Sequence, residues 1–253
     1  MGWIGFWTLL KREIVRFVIV PTQTIVPPIM SSVLFILIFG VFLKDNVSTV
    51  SGTNFMMFFI PGLIAMNLVT TSYSNSAFSL FLMRFMGYIR DIQVAPLSYF
   101  EIALALNLGS VIRGIFIALL IFIVSLFFTS TPIANPLLFA YFLITSAMFF
   151  SSIGLIAALV AEEFEHLEIL TVFVITPLTF LGGVFHSVAN LPEIGRQLTM
   201  LNPIFYMIDG MRYSMLGASE GNIFLSIALC LVFSVVFFSI NVWLFRSGYK
   251  LRS

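Results

Sequence analysis

The sequence predicts an all-α membrane protein with six transmembrane helices. Of its 253 residues, 60% are hydrophobic and only 9% are charged, and the mean hydropathy is +1.10. A bilayer core of about 30 Å requires about 20 apolar residues per helix. Six stretches meet this requirement, at approximately residues 25–43, 55–72, 101–128, 136–161, 169–185 and 223–245. They leave no room for a separate soluble domain, so residues 1–253 are predicted to form one transmembrane domain.

Basic residues predict the orientation of these spans. They concentrate before the first span, after the second and after the sixth, as Lys11, Arg12, Arg16, Arg84, Arg90, Arg246, Lys250 and Arg252. The loops on the opposite side carry only Lys44, Arg196 and Arg212. Because Lys and Arg are enriched in cytoplasmic loops, both termini are predicted to be cytoplasmic.

The segment before the first span predicts an amphipathic interfacial helix. Its apolar residues recur at helical spacing, namely Trp3, Phe6, Leu10, Ile14 and Phe17. Its polar and basic residues gather on the other side, namely Thr8, Lys11, Arg12 and Arg16. A helix with this pattern lies in the membrane interface rather than crossing the bilayer. The alternative is that residues 3–17 are simply the cytoplasmic start of the first span.

The inner half of the second span is unusually polar. Residues 67–76 read NLVTTSYSNS and include Asn67, Thr70, Thr71 and Tyr73. Lipid does not tolerate such a face, so it either packs against another helix or lines a transport path. Serine and threonine also hold membrane helices together, and the sequence leaves both interpretations open.

A charged segment between the second and third spans is the strongest functional signal. Residues 80–97 read LFLMRFMGYIRDIQVAPL, in which polar and basic residues interrupt an apolar pattern. A cytoplasmic helix of this kind can dock into a groove on a soluble protein, with aromatic anchors supplying affinity. The predicted contact residues are Arg84, Phe85, Tyr88, Ile89, Arg90 and Asp91. The alternative is an interfacial loop that only satisfies the positive-inside rule.

Arg113 is a charged residue near the middle of the third span. A buried arginine costs at least about 2.5–3.5 kcal/mol, so it is expected to face protein or water and to have a partner. The predicted partners are carboxylates at the inner ends of the fourth and fifth spans, namely Glu162, Glu163, Glu165 and Glu168. The simpler interpretation is a structural ion pair, and the alternative is a contact with a transported substrate.

The stretch between the fifth and sixth spans is too long for a turn and too apolar for a solvated loop. Residues 186–222 include Pro192, Asn202, Pro203, Phe205 and Tyr206. Irregular backbone at membrane depth must be held within protein, so this stretch is predicted to form re-entrant helices that plug the external face. Asp209 and Arg212 are three residues apart and are predicted to form a local helical pair.

Motifs for catalysis are absent from the sequence. There is no G-x-x-x-x-G-K-[ST] phosphate loop, no H-E-x-x-H zinc motif and no G-x-S-x-G nucleophile elbow, and Cys230 is the single cysteine. The net charge of +1 argues against nucleic-acid binding. The chain is therefore predicted to hold no cofactor or metal and not to be an enzyme. If ATP is used, another chain must bind it.

A series of short motifs resembles the permease subunits of type 2 ATP-binding-cassette exporters, a group that includes drug-resistance, nodulation-factor and polysaccharide export permeases. The motifs are PTQTIVPP (21–28), FIPGL (59–63), VAPLS (94–98), PLTFLGGVF (177–185), LP (191–192), LNPIFYM (201–207) and GMRY (210–213). Together they cover essentially the whole chain.

This resemblance implies a bacterial inner-membrane permease that forms a homodimer above two ATPase chains, which bind ATP and Mg. It implies that Phe81–Gln93 is the coupling helix, that Trp3–Phe17 also touches the ATPase, and that His186–Gly217 forms the external re-entrant helices. The path would run between the two permease chains and be lined by spans two and five. Candidate path residues are Asn67, Thr70, Thr71, Tyr73, Phe173 and Phe180.

The resemblance does not fix the substrate, which would be a drug, lipid or glycan. Two alternative functions remain open from the sequence. An ion-coupled transporter draws support from Arg113 and the acidic turn at 161–168. A non-catalytic membrane scaffold would use the charged segment only to recruit a partner.

Overall fold

Helices form almost all of the chain that the computed structural model describes, which is residues 2–42, 49–50 and 53–250. Within these residues, six helical stretches are long and apolar enough to cross a membrane. These spans 1 to 6 are Pro21–Gly40, Phe55–Phe85, Tyr99–Ser125, Pro136–Val160, Phe164–Leu181 and Ile223–Ser247. The predicted all-α fold with six spans is confirmed. Leu43, at the end of the first predicted span, and Lys44 in the next loop lie outside the described residues.

The amino-terminal part contains three helices and a small hairpin. Helix α1 (Gly2–Ile19) is followed by the single turn α2 (Pro21–Thr24) and by α3 (Val26–Phe35), which continues as a π-helical segment over Ile36–Phe42. Two-residue strands β1 (Thr49–Val50) and β2 (Thr53–Asn54) then pair antiparallel. Pro21 and Pro27 lie in the first turns of α2 and α3, where a missing N–H costs no helical bond.

The rest of the chain forms a helical bundle with a short helix between spans 2 and 3 and a helical hairpin between spans 5 and 6, here called the external hairpin after its predicted side of the membrane. Its helices are α4 (Phe55–Phe85), α5 (Ile89–Val94), α6 (Tyr99–Ser125), α7 (Pro136–Val160), α8 (Phe164–Leu170), α9 (Thr176–Leu181), α10 (Glu193–Leu201), α11 (Pro203–Leu216) and α12 (Ile223–Ser247). A π-helical segment, Thr171–Ile175, joins α8 to α9, and a 3₁₀ turn, Val188–Asn190, precedes α10.

Side-chain caps explain where several of these helices begin. Asn54, Asn135, Asn202 and Asn222 accept hydrogen bonds from first-turn N–H groups of α4, α7, α11 and α12. Ser98 and Glu101 form a reciprocal capping box at the start of α6. The first N–H groups of a helix have no partner within it, so these residues satisfy donors that would otherwise be orphaned.

Helix α4 is the centre of the bundle. In its most apolar stretch 83% of the residues are buried, against 67% for α7 and 44% for α6. The corresponding fraction is 17% for each of spans 1, 5 and 6. The fold is therefore a packed core of α4, α6 and α7 with three peripheral spans.

Small residues let the core helices approach closely. A Cβ atom added to Gly154 of α7 would lie 2.5 Å from the carbonyl oxygen of Tyr73 and would overlap Ser76 of α4. A Cβ added to Gly114 of α6 would likewise overlap Ser72 of α4. Small side chains at such positions are the usual device for bringing membrane helices into contact.

Pro177 accounts for the π-helical segment in span 5. The N–H and the hydroxyl of Thr176 both donate to the carbonyl oxygen of Thr171, five residues earlier. Pro177 has no N–H, and its ring would clash with the carbonyl four residues before it. A widened turn relieves that clash, and such turns are frequent at functional sites.

Phenylalanine side chains join the outer ends of spans 1, 2 and 5. The ring of Phe185 lies 5.7 Å from Phe35, 5.0 Å from Phe39 and 5.5 Å from Phe59, measured between centroids. Phe180 contacts the same ring edge-on at 5.1 Å. Part of the aromatic content of the chain therefore packs inside the protein rather than against lipid.

The Gly154 contact predicts a specific destabilisation. Gly154→Val should push α7 away from α4, since backbone atoms of Tyr73 and Ala77 lie within 3.1 Å of the added Cβ and cannot rotate away, and overpacking of this kind costs about 1–3 kcal/mol. The measurement is the apparent Tm and the monodisperse yield of the purified chain in detergent. Gly195→Ala on α10 is the control, because an added Cβ there meets only Leu191 at ordinary contact distance. Equal Tm values for both variants would contradict the close α4–α7 packing.

Candidate coupling surface and transport pathway

The segment after α4 turns sharply and returns to the bundle. Gly87 has φ of +79°, in the left-handed region that favours glycine, and α5 follows from Ile89. Ile89 and Ile92 are buried and hold α5 against the core. Ala95 is extended before Pro96, which ends the segment.

The exposed side of this segment carries the predicted contact residues. Phe85, Tyr88 and Val94 are 67%, 53% and 87% exposed, and Arg90 and Asp91 are exposed beside them. Helix α4 has 31 residues, about 46 Å at 1.5 Å per residue, which is about 16 Å longer than a bilayer core. These five residues, here called the coupling surface, lie at and after its carboxyl end. Ile89, also a predicted contact, faces the core instead.

Arg84, also a predicted contact residue, forms hydrogen bonds within the chain. Its guanidinium donates to the carbonyl oxygens of Ala158 and Ala161 at the end of α7, the latter at 3.2 Å, and to the carbonyl oxygen of Lys250 at 3.1 Å. A cation at a helix carboxyl end satisfies carbonyls that have no helical partner. Arg84 thus ties α4, α7 and the carboxyl-terminal residues together behind the coupling surface.

Helix α1 lies beside the coupling surface. Gly5 sits against Leu97, so closely that an added Cβ would come within 2.8 Å of a leucine methyl group. Phe6, Leu9, Leu10 and Phe17 are buried against the core, whereas Trp3, Ile4 and Trp7 are 71%, 77% and 58% exposed. Trp3 contacts Phe6, with ring centroids 5.7 Å apart, but lies beyond the part of α1 that packs on the core. Arg16 faces inward, although the sequence placed it on the polar side.

The polar stretch of α4 divides into a packed part and an open part. Tyr73 is fully buried and donates to the carbonyl oxygen of Leu167 at 3.1 Å, which fixes the start of span 5. Asn67 and Thr71 are also buried. Thr70 is half-buried and forms an open stripe with Met66, Ser74 and Phe78 at four-residue spacing.

The candidate path residues on span 5 are exposed. Phe173 is 73% exposed on the π-helical segment, and Phe180 is 40% exposed nearer the outer end. At the inner end, Phe164 lies beside Phe78 with ring centroids 6.2 Å apart. The open stripe of α4 is thus next to span 5, the span that carries the exposed residues Phe173 and Phe180.

Arg113 contacts Asn75 and Thr24, and its predicted ion pair with Glu162, Glu163, Glu165 or Glu168 is wrong. Its guanidinium donates to the amide oxygen of Asn75 at 3.0 Å and to the carbonyl oxygen of Thr24 at 3.2 Å. The ion pairs among the described residues do not include it. Arg113 comes 14 residues after Tyr99, which is about 21 Å along α6 from the end of the bundle where the turn at 161–168 lies, so its guanidinium reaches Asn75 and not that turn.

Glu13, which the sequence analysis did not single out, completes this polar cluster. It is 1% exposed, accepts a hydrogen bond from Ser79 at 2.7 Å, and pairs with Arg16 at 3.3 Å. Arg16 also donates to the amide oxygen of Asn75 at 2.9 Å, and the amide nitrogen of Asn75 donates to Ser110 at 2.9 Å. We call Glu13, Arg16, Asn75 and Arg113 the polar cluster; it joins α1, α4 and α6.

The external hairpin has the break points that the sequence predicted. Pro192 precedes α10, Asn202 caps α11 and donates to the carbonyl oxygen of Leu178, and Pro203 opens α11. Phe205 is 1% exposed, and the hydroxyl of Tyr206 donates to the carbonyl oxygen of Met200 at 2.8 Å. The hairpin is therefore folded onto the bundle.

Asp209 and Arg212 do not form the predicted local pair. The loop before α12 folds over α11, and Asp209 accepts hydrogen bonds from the N–H groups of Glu220 and Gly221 at 2.7 and 3.2 Å. Arg212 donates to the carbonyl oxygen of Gly183 at 2.6 Å, stacks over Phe58, and has Glu220 as its ion-pair partner at 3.8 Å. Burial raises the pKa of Asp209, and the two N–H donors and Arg212 oppose that rise.

Comparison with known proteins assigns a family to this arrangement. A family model described as ABC-2 type transporter matches residues 4–216. The chain is 36% identical over 251 residues to the inner membrane transport permease YadH of Escherichia coli K12, covering 99% of this chain and 98% of the relative. It is 24% identical over 258 residues to nodulation protein J of Rhizobium meliloti, covering 97% and 93% of the two chains.

The polar cluster predicts that Asn75 is structurally essential. Asn75→Leu removes the acceptor shared by two guanidinium groups, and hydrogen bonds to charged groups contribute about 1.5–3 kcal/mol each. We expect a lower apparent Tm and a lower folded yield in detergent. Ser74→Ala, at the half-exposed neighbouring position, is the control. If both variants retain wild-type stability, the cluster does not hold the helices together.

Proposed function

Because the chain belongs to the ABC-2 type transporter family, the membrane-spanning transport subunits of ABC transporters, we propose that it works as a homodimer driven by a separate ATPase chain. ATP and Mg would bind in the ATPase, and this chain would supply the path. Both termini would be cytoplasmic. The described residues include no cluster of His, Cys, Asp and Glu that could hold a metal ion.

The observation that carries this proposal is the exposure of apolar and aromatic side chains on the coupling surface. Phe85, Tyr88 and Val94 are 67%, 53% and 87% exposed. Trp3 and Trp7 are likewise exposed on α1, whose Gly5 contacts Leu97 just after the coupling surface. Exposed aromatic side chains of this kind are typical anchors for a protein partner.

Force from the ATPase would enter the core through α4. Ile89 and Ile92 hold α5 to the bundle, and Arg84 ties the end of α4 to the end of α7. A push on the coupling surface is therefore transmitted to the packed core and not absorbed by a loose loop. The polar cluster makes α1 part of the same rigid unit.

Spans 1 and 5 would move against this core. Each has only 17% of its most apolar stretch buried, and each contains a π-helical segment. Span 5 is held at its inner end by Tyr73 and at its outer end by the Phe185 contacts, which leaves the region of Phe173 between two fixed points. Closure of the ATPase pair would reshape a path between the two permease chains in this region.

The path would have both polar and apolar walls. Thr70 and Ser74 of the open stripe offer hydroxyl groups, and Phe173 and Phe180 offer aromatic surface. A surface of this mixed character suits an amphipathic drug, lipid or glycan conjugate. The external hairpin, with Phe205 buried, would close the outward end in the resting state.

The two alternative functions have less support. The support for an ion-coupled transporter was a predicted ion pair between Arg113 and the acidic turn. Arg113 instead contacts Asn75 and Thr24, so that support is lost. A non-catalytic scaffold would need the coupling surface. It would not need the open stripe of α4 beside span 5, which is exposed and contains a π-helical segment. Export driven by an ATPase accounts for both features.

The coupling surface predicts the effect of two substitutions on the ATPase complex. Arg90→Glu and Tyr88→Ala should each reduce the ATPase that co-purifies with the tagged chain from native membranes, because loss of an interface anchor costs about 1–2 kcal/mol or more. That corresponds to about a fivefold to thirtyfold weaker complex. The readout is labelling of the co-purified chain with a photoactivated ATP analogue.

The control for this experiment is Arg196→Glu, which changes an exposed arginine on the external hairpin. It should leave the labelled ATPase unchanged, and all three variants should insert normally into the membrane. Equal ATPase recovery from wild type, Arg90→Glu and Tyr88→Ala would refute the coupling surface.

The proposed homodimer predicts cross-linking through span 5. In a Cys230→Ser background, Phe173→Cys should form a disulfide between two chains when membranes are treated with a copper–phenanthroline oxidant. Leu231→Cys is the matched control, since Leu231 is also an exposed apolar residue, 49% exposed, on span 6. Dimer formation at position 231 and none at 173 would mean that span 6, not span 5, faces the second copy.

A further inference from the structure

The polar cluster carries more positive than negative charge. Arg16 pairs with Glu13 at 3.3 Å, but Arg113 has no carboxylate among its contacts and uses only neutral oxygens of Asn75 and Thr24. The Nε atom of Arg113 is buried without a hydrogen-bond partner. The two guanidinium groups therefore have one carboxylate between them, paired with Arg16, and the charge of Arg113 has no counter-charge among the described residues.

The cluster lies about one bilayer-core thickness from the start of α4. Asn75 comes 20 residues after Phe55, the first residue of α4, which is about 30 Å along the helix and equals the thickness of a bilayer core. If α4 enters the core at Phe55, Asn75 is at the opposite boundary, where phosphate groups begin. The cluster is open on that side, since the side chain of Arg16 is 35% exposed.

Apolar side chains flank the open side of the cluster. Val15 and Ile19 of α1 are 39% and 70% exposed, and Ile112 and Phe116 of α6 are 37% and 42% exposed. Phe17 and Phe116 have ring centroids 6.3 Å apart and join the two helices on this side. Exposed apolar side chains beside two arginines match an acyl chain that ends at a phosphate.

We propose that Arg16 and Arg113 bind the phosphodiester of an anionic phospholipid, whose acyl chain lies against the exposed apolar side chains of α1 and α6. The phosphate supplies the missing negative charge and acceptors for the exposed guanidinium donors. Basic pockets between membrane helices on the cytoplasmic side commonly bind anionic headgroups in this way. The bound lipid would seal α1 onto the core as part of the folded subunit, independently of the transported substrate.

Lipid retention tests this proposal. The full-length chain, purified in neutral detergent with equal amounts of palmitoyl-oleoyl phosphatidylglycerol and phosphatidylcholine, is examined by native mass spectrometry. The wild type should retain phosphatidylglycerol preferentially, and Arg113→Gln should lower the ratio of the two lipids about fivefold. Arg196→Gln, on the external hairpin, should leave the ratio unchanged. An equal ratio in wild type and Arg113→Gln would overturn the proposal.

Glu13→Gln separates lipid binding from structural damage. It removes the one negative charge of the cluster and should raise phosphatidylglycerol retention, whereas general misfolding would lower it. This variant decides the question even if Arg113→Gln is not monodisperse, because a lowered or unchanged ratio in Glu13→Gln would overturn the proposal. In the last part of the experiment, the wild-type chain is pre-incubated with inorganic phosphate before the lipids are added. Loss of the lipid preference in phosphate would mean that the site takes free anions, which would refute the lipid assignment.

Discussion

Asn75 accepts hydrogen bonds from two guanidinium groups that belong to different helices, and the packing of α1, α4 and α6 depends on this arrangement. Arg16 brings α1 to α4, and Arg113 brings α6 to the same amide oxygen while also binding the carbonyl of Thr24 at the start of span 1. Burying charge in a membrane protein is favourable only when the partners are fixed. The cluster therefore sets the position of α1 and of the chain that leads into the first span.

The packing of the spans also divides the molecule into a rigid core and peripheral spans. Glycine and serine contacts lock α6 and α7 onto α4, and Arg84 locks the end of α4 to the end of α7. Spans 1 and 5 lack comparable contacts along most of their length and contain the π-helical segments. A family of transporters that is driven from outside the membrane needs both parts: a unit that transmits force and helices that respond to it.

Much of the fold could be predicted from the sequence, because hydropathy and length alone determine how many helices cross a bilayer. The external hairpin was also predictable, since Pro192, Asn202 and Pro203 mark helix boundaries by their own chemistry. The polar cluster could not be found in the same way. Glu13 lies one turn from both Leu10 and Phe17, on the packed face, but an apolar pattern does not reveal a buried carboxylate. The partners of Arg113 and Asp209 depended on how helices and loops pack, which residue spacing does not encode.

The central claim is that α1 and the core move as one unit while span 5 moves against them. Pulsed electron resonance distances in the complex with its ATPase test this directly, with doubly labelled chains diluted by unlabelled chains so that only distances within one chain are seen. One label pair joins Lys11 of α1 to Leu126 at the outer end of α6, and the other joins Lys11 to Phe173 of span 5. Between the nucleotide-free state and the vanadate-trapped state, the first distance should stay constant and the second should shift by several ångströms. A shift in the Lys11–Leu126 distance with a constant Lys11–Phe173 distance would contradict the account.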